Sequence, residues 1–376
     1  MVDSETFYNA LQSAGIDFFA GVPDSLLGPI CACISDKAPE GKHHITANEG
    51  AAVAMATGWF LGNAKPAMVY MQNSGLGNAV NPLLSLADGS VYGIPMLIMI
   101  GWRGEPGIRD EPQHLAQGAA TMSILESMGI SYHHLPGNTA EAVSLIHQIS
   151  AQCVAEQKPV ALLVSKNAFT PYTSEAREDE QALPLSREQA IAITIANIDR
   201  DSTIVSSTGM ISRELYELRE QTGSSHDRDF LTVGSMGHCS QIALGVALAK
   251  TNKKVFCLDG DGAALMHMGS MAIIAQTEAA NFTHIILNNA SHGSVGGQPT
   301  CGFKISFPDI AKACGYVSAT SVSEEAELVD ALQKTKDFSG PSLIEIKVHA
   351  GNRDDLGRPG LSLKDQKEAF MKHLGN

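Results

Sequence analysis

Three short stretches of the chain hold residue types that do chemistry on an anion or a metal ion. The first is Leu258-Asp259-Gly260-Asp261-Gly262, where an apolar run over 255–258 ends in a carboxylate bracketed by glycines. Glycine there lets the backbone come close to a bulky anion. The helix expected next points its first amides at the same spot, which favours phosphate. Asp261 offers the hard carboxylate oxygen that Mg²⁺ prefers. The second stretch is Asn288-Asn289, at the end of another expected strand, 284–287. Neighbouring strands of a parallel sheet would bring Asn289 to the same edge as Asp261, where ligands bind in such folds. The third is Ala47-Asn48-Glu49-Gly50, in which Glu49 opens a helix after a short strand. Each has a plainer reading taken alone: Asp261 as a turn residue, Glu49 as a first-turn acid complementing the helix dipole. The pairing of Gly-Asp-Gly with Asn-Asn one strand later is what makes the pattern specific.

The elements that must position these residues alternate. Apolar runs at 17–20, 44–47, 67–71, 96–100 and 160–165 read as strands, with helices between them, for example over 49–61 and 140–156. The runs are short, rich in Val, Ile, Leu and Met, and not alternating, as expected of strands buried on both faces of a parallel sheet. Residues 170–188 break the pattern with two prolines and many charges, and read as a linker. The alternation then resumes, with strands at 202–207, 231–233, 254–258, 283–287 and 343–348 and helices over 239–250, 265–278 and 324–336. The expected architecture is α/β: two tandem domains, 1–172 and 187–376, each a mostly parallel sheet flanked by helices and joined by a linker over 173–186.

The spacing of Gly260-Asp261-Gly262 and Asn288-Asn289 resembles the cofactor motif of the thiamine-diphosphate-dependent enzymes. The resemblance implies thiamine diphosphate and Mg²⁺ as cofactors. Gly260 and Gly262 would line the diphosphate, and Asp261, the Asn289 side chain and the Ser291 backbone carbonyl would ligate the metal. Asn48-Glu49-Gly50-Ala51 looks like the family's activating glutamate, which hydrogen-bonds N1′ of the aminopyrimidine. Met236, in Gly234-Ser235-Met236-Gly237, falls where the family wedges an apolar side chain beneath the bent cofactor; its plain reading is a core filler. On this resemblance 1–172 is the pyrimidine-binding domain and 187–376 the diphosphate-binding domain. There is no room for a middle domain, and the chain is at least a homodimer with active sites at the subunit interface.

Further segments are similar to the phosphonopyruvate and sulfopyruvate decarboxylases. They are Gly21-Val22-Pro23-Asp24-Ser25, the run from Gly101-Trp102-Arg103-Gly104-Glu105-Pro106-Gly107 to Asp110-Glu111-Pro112-Gln113-His114, Ser291 to Thr300, and 351–359. Gly293 departs from that pattern, where an acidic residue is expected. The implied substrate is a small anionic 2-oxo acid, with phosphonopyruvate favoured through the Trp102 to Gly107 loop. It would lose CO₂ to give phosphonoacetaldehyde, a step in phosphonate biosynthesis. Asp24, Glu49, His114 and His292 are the candidate catalytic groups. Ser25, Arg103, Arg109, His114 and Lys304 are the candidate substrate contacts, cations and donors being what a phosphonate needs. For any single one of Arg103, Arg109, His114, His292 and Lys304, a solvated surface charge is the commoner outcome, and Asp24 and Ser25 also read as a helix cap. Sulfopyruvate decarboxylase and an acetolactate-synthase-like carboligase stay open as alternatives.

Composition sets the outer bounds. The 376 residues are 44% hydrophobic and 18% charged, enough for packed cores. The net charge of −14 argues against a nucleic-acid partner. The longest apolar run, 94–100, is too short for a membrane span, and the start has neither a basic nor an apolar signal region. The seven cysteines lack zinc spacing and are odd in number, which suits a reducing compartment. A cytoplasmic location without membrane contact is the expectation.

Overall fold

A computed structural model describes residues 1–174, 183–293, 295–353, 355–360 and 362–375. They fall into two units, Met1–Glu178 and Asp179–Asn376. Most of the stretch read as a linker, 175–182, lies outside the described residues.

The first unit carries β1 (Phe19–Gly21), β2 (His43–Ile45), β3 (Ala67–Gln72), β4 (Met96–Gly101), β5 (Ser131–His134) and β6 (Pro159–Val164). They form one parallel sheet of six strands in the order β2-β1-β3-β4-β6-β5. Helices on both faces explain why its central strands are apolar throughout. Met68, Tyr70, Leu97, Met99 and Leu162 enter one core, with Phe7, Leu11, Ile30 and Ile146 from helices on that side. Val69, Met71, Ile98, Ile100 and Leu163 enter the other, with Val53, Ala56 and Leu125. Each large aliphatic side chain buried this way stabilises the fold by about 1.5–3 kcal/mol.

The second unit carries β7 (Thr203–Ser206), β8 (Asp229–Leu231), β9 (Val255–Gly260), β10 (Phe282–Asn288), β11 (Ser318–Val322) and β12 (Ser342–Lys347). Its six strands are also parallel, in the order β11-β12-β10-β9-β7-β8. Alternation again splits the strands between two cores: Val255, Cys257 and Ile286 on one side, Phe256, Leu258, Ile285 and Leu287 on the other. The expected α/β class and tandem parallel sheets are therefore present. Among the described residues no helix is long and apolar enough to cross a membrane.

Three details depart from the sequence reading. The strands β5 and β11 were not expected; both lie at sheet edges, where a strand keeps one side in water and needs no apolar run. β8 begins at Asp229, before the expected 231, because the Asp229 carboxylate is buried against Arg219 at 2.7 Å and so tolerates a core position. The helix expected over 265–278 is two, Asp261–Met266 and Ser270–Gln276, since His267 leaves the helical region at φ −133° and ψ 45°.

Candidate active site

In the first unit the chain segments leaving β1, β2, β3 and β4 carry a polar rim. Asp24 is fully buried and accepts from the Gln72 side-chain amide at 2.6 Å and the Leu26 backbone amide at 3.0 Å. Burial pushes its carboxyl up, against the pull of these donors. The Ser74 hydroxyl donates to Gln72 Oε1 at 2.8 Å, which turns the amide NH₂ of Gln72 towards Asp24. A Cβ at Gly101, the last residue of β4, would strike the Asp24 carboxylate.

Glu49 opens the helix Glu49–Asn63, where Asn48 Oδ1 caps the first turn by accepting from the Ala51 amide at 2.9 Å. Glu49 is only 5% exposed, and its Oε2 accepts from Asn78 Nδ2 at 2.7 Å. Gly75 makes room for it: a Cβ there would come within 2.6 Å of the Glu49 carboxyl carbon. A third group lies beyond β4. Arg103 donates from Nε at 2.8 Å and Nη2 at 2.5 Å to Asp110, and from Nη1 at 2.9 Å to the Ser25 hydroxyl. His114 Nδ1 sits 3.0 Å from the same Asp110.

In the second unit the register of β10 on β9 pairs Leu287 with Gly260, so Asp261 and Asn288 leave the sheet side by side. Asp261 is 2% exposed, and the Thr300 hydroxyl donates to its Oδ2. Burial raises its carboxyl to about 6, and what offsets burial is hydroxyl and amide donors rather than any cation. Asn288 is fully buried and donates to the Gly302 carbonyl at 2.9 Å and to Glu345 Oε1 at 2.7 Å. It therefore locks the loop, while Asn289, also buried, accepts from the Ser291 amide at 3.1 Å through Oδ1. The chain returns through a bridge between Ser291 and Pro299. His292 lies over Gly262, whose Cβ would come within 2.8 Å of the ring, and burial lowers its imidazole to about 4. The loop around Met236 packs on the helix Asp261–Met266: Gly237, at φ 85°, approaches Met266 and His267 so closely that a Cβ would overlap both.

Of the residues singled out from sequence, Asp24, Ser25, Arg103 and His114 converge in the first unit. Gly260, Asp261, Gly262, Asn289, Ser291 and His292 converge in the second, with Met236 half-buried in the loop packed beside them. Arg109 and Lys304 are exposed and outside these clusters. Sequence reasoning passed over Gln72, Asn78, Asp110, Thr300 and Gly302. Asp110 did leave a signal, a carboxylate one helical turn before His114. Gly302 left none: only the fold shows that a Cβ there would come within 2.7 Å of Asp261 Oδ2.

Residues 2–124 match the N-terminal TPP binding domain of thiamine pyrophosphate enzymes, and residues 205–346 their C-terminal TPP binding domain. The chain is 34% identical over 385 residues to a phosphonopyruvate decarboxylase from Streptomyces viridochromogenes, covering 98% of this chain and 94% of that one. The chain belongs to the thiamine pyrophosphate enzymes. Within that family it is also 34% identical over 389 residues to a phosphonopyruvate decarboxylase from Streptomyces hygroscopicus, covering 99% and 94%. A sulfopyruvate decarboxylase from Methanosarcina acetivorans is 30% identical over 394 residues, covering 98% and 97%. Thiamine diphosphate is thus the cofactor these two units are built for. The rim of the second unit fits its charged end: two glycines, and a buried carboxylate offset by hydroxyl and amide donors.

Proposed function

We propose that this thiamine pyrophosphate enzyme decarboxylates 3-phosphonopyruvate to phosphonoacetaldehyde and CO₂ with the help of Mg²⁺, as a step in phosphonate biosynthesis. The observation that carries the substrate choice is the 34% identity, along nearly the whole chain, to phosphonopyruvate decarboxylases. In this reading Asp261, the Asn289 side-chain oxygen and the Ser291 carbonyl hold the metal. They are hard oxygens of the kind Mg²⁺ takes, and a divalent cation would neutralise a carboxylate that burial leaves costly to charge. Gly260 and Gly262 would leave space for the diphosphate, and half-buried Met236 would supply apolar support for the bent cofactor.

When bound, thiamine diphosphate supplies a nucleophilic carbon and an electron sink. Glu49 would share a proton with N1′ of its aminopyrimidine; its burial and its bond from Asn78 leave the carboxylate oriented and poorly solvated. The phosphonate meets the Ser25 hydroxyl and the Arg103 guanidinium, which are already joined at 2.9 Å. Arg109 and Lys304, exposed as they stand, serve only to draw the anion in. His114 handles the proton that enters the product. His292 is neutral near pH 7 and packs on Gly262, which fits a second proton carrier. The 1–172 segment takes the pyrimidine end and 187–376 the diphosphate end. A homodimer or larger assembly, with active sites at the subunit interface, is supported by an uncovered apolar surface on the Glu49–Asn63 helix, where Met55 is 40% and Leu61 72% exposed.

The test is aldehyde formation from phosphonopyruvate, sulfopyruvate and pyruvate measured side by side. The reading expects the highest kcat/KM for phosphonopyruvate. An equal or better value for sulfopyruvate transfers the assignment to the second reading, which the 30% identity to a sulfopyruvate decarboxylase favours.

A further inference from the structure

Around His114 the structure holds more order than a substrate contact needs. The Asp110 carboxylate accepts from Arg103 Nε at 2.8 Å and Nη2 at 2.5 Å, from the Gly104 amide at 2.8 Å and from the Glu111 amide at 2.8 Å. The His114 Nδ1 contact at 3.0 Å completes the set. Asp110 and His114 side chains are 12% and 15% exposed, so solvent screens this cluster weakly.

The platform beneath is equally constrained. Gly104, at φ 68°, and Gly118 lie so close that a Cβ on Gly118 would strike the Gly104 carbonyl, and one on Gly104 the His114 carbonyl. Trp102 Nε1 donates to the Gly118 carbonyl at 2.9 Å. The Arg103 backbone is clasped by Asn73, whose Nδ2 donates to the Arg103 carbonyl at 2.8 Å and whose Oδ1 accepts from its amide at 3.2 Å. The loop after β4 and the start of the helix Pro112–Ser127 are thus fastened together at Asp110.

The Arg103 guanidinium, first among its partners, holds the Asp110 carboxyl well below the usual carboxylate range. An ionised carboxylate has no proton to give. The hydrogen between Asp110 and His114 must therefore sit on His114 Nδ1. Nε2 becomes the nitrogen at which a proton arrives or leaves, and among the described residues nothing hydrogen-bonds it. The charged groups that act on this cluster are Arg103, Asp24 and Glu111.

We propose that Asp110 is a positioning residue: it fixes His114 in the Nδ1–H tautomer, with Nε2 as the working nitrogen, and sets the Arg103 guanidinium against Ser25. The same logic, a carboxylate orienting a histidine that meets the substrate with its other nitrogen, operates in unrelated catalytic sites. The catalytic consequence rests on the decarboxylase reading; the tautomer does not.

The experiment uses the full-length enzyme with ¹⁵N-labelled histidine, the His114 signals being assigned with His114→Gln. At pH 8 the wild type is expected to carry its proton on Nδ1. In Asp110→Asn, whose amide NH₂ can donate, the proton is expected to move to Nε2. With cofactor, Mg²⁺ and the best of the three oxo acids, Asp110→Asn is expected to lose about 10²–10⁴-fold in kcat with little change in KM, the range of a lost general acid–base. Asp110→Glu should restore part of it. A proton on Nε2 in the wild type, an unchanged tautomer in Asp110→Asn, or a kcat within a few-fold of wild type overturns the proposal. A wild type inactive on all three oxo acids refutes the decarboxylase reading instead and leaves the tautomer spectrum to judge Asp110.

Discussion

Asp261→Asn should stabilise the metal-free protein while destroying what the site is for. The Asp261 carboxyl stands at about 6 against 3.8 for an ordinary aspartate, chiefly because it is buried. Between those values the folded state binds a proton that the unfolded chain has already released, so stability falls as pH rises through the window and is level above it. A difference of about two pH units corresponds to about 3 kcal/mol held against the folded state at pH 8. Asparagine removes the charge and keeps an oxygen for the Thr300 hydroxyl, which now donates to Asp261 Oδ2. In EDTA and without cofactor, Asp261→Asn should gain about 2–3 kcal/mol at pH 8 and almost nothing near pH 4. By the usual scaling for a unit of this size that is about 4–12 °C in melting temperature. Thiamine diphosphate with Mg²⁺ should then reverse the order, stabilising the wild type and leaving the variant unmoved. Thermal melts at the two pH values, with and without cofactor, read all of this. A variant less stable than wild type at pH 8 in EDTA would refute the claim that Asp261 is a buried charge waiting for a cation.

Other substitutions probe other parts. Glu49→Gln should bind cofactor, by calorimetric titration, yet lose at least about 10²-fold in turnover; near-normal activity would remove Glu49 from proton sharing with N1′. Gly302→Ala puts a Cβ within 2.7 Å of Asp261 Oδ2 and hard against Asn288, and should cost about 1–3 kcal/mol in urea denaturation together with Mg²⁺-dependent cofactor affinity. Arg187→Ala leaves Glu214, 3% exposed and bonded at 2.6 and 2.7 Å, as an unpaired buried charge. The expected loss is about 3–5 kcal/mol by denaturant titration, and Arg187→Met with Glu214→Leu should recover most of it.

What could be read from the sequence follows from which signals are local. The central strands announce themselves because both faces are buried, so Met96 to Ile100 or Val255 to Leu258 is apolar at every step. The edge strands β5 and β11 lack that signal: Ser131 and His134 are exposed, and β11 pairs with β12 alone. The site divides in the same way. Gly260-Asp261-Gly262 and Asn289 were legible as a pattern because glycines and oxygen-bearing side chains stand directly after two runs that read as neighbouring strands. Gln72, Asn78 and Thr300 were not, because each acts on a residue far off in sequence: Asp24, Glu49 and Asp261. Among the cations, charge alone could not tell Arg103, tied to Asp110 and Ser25, from Arg109, which points to water.

The strict division of each sheet's side chains between two cores has an evolutionary consequence. Adding or deleting one residue within β3, β4, β9 or β10 would exchange the occupants of both cores at once. Altering the length of a segment beyond a strand's carboxyl end costs only a little chain entropy. Descendants of such a scaffold can therefore trade one acid for another by redrawing their loops, while the interior stays frozen.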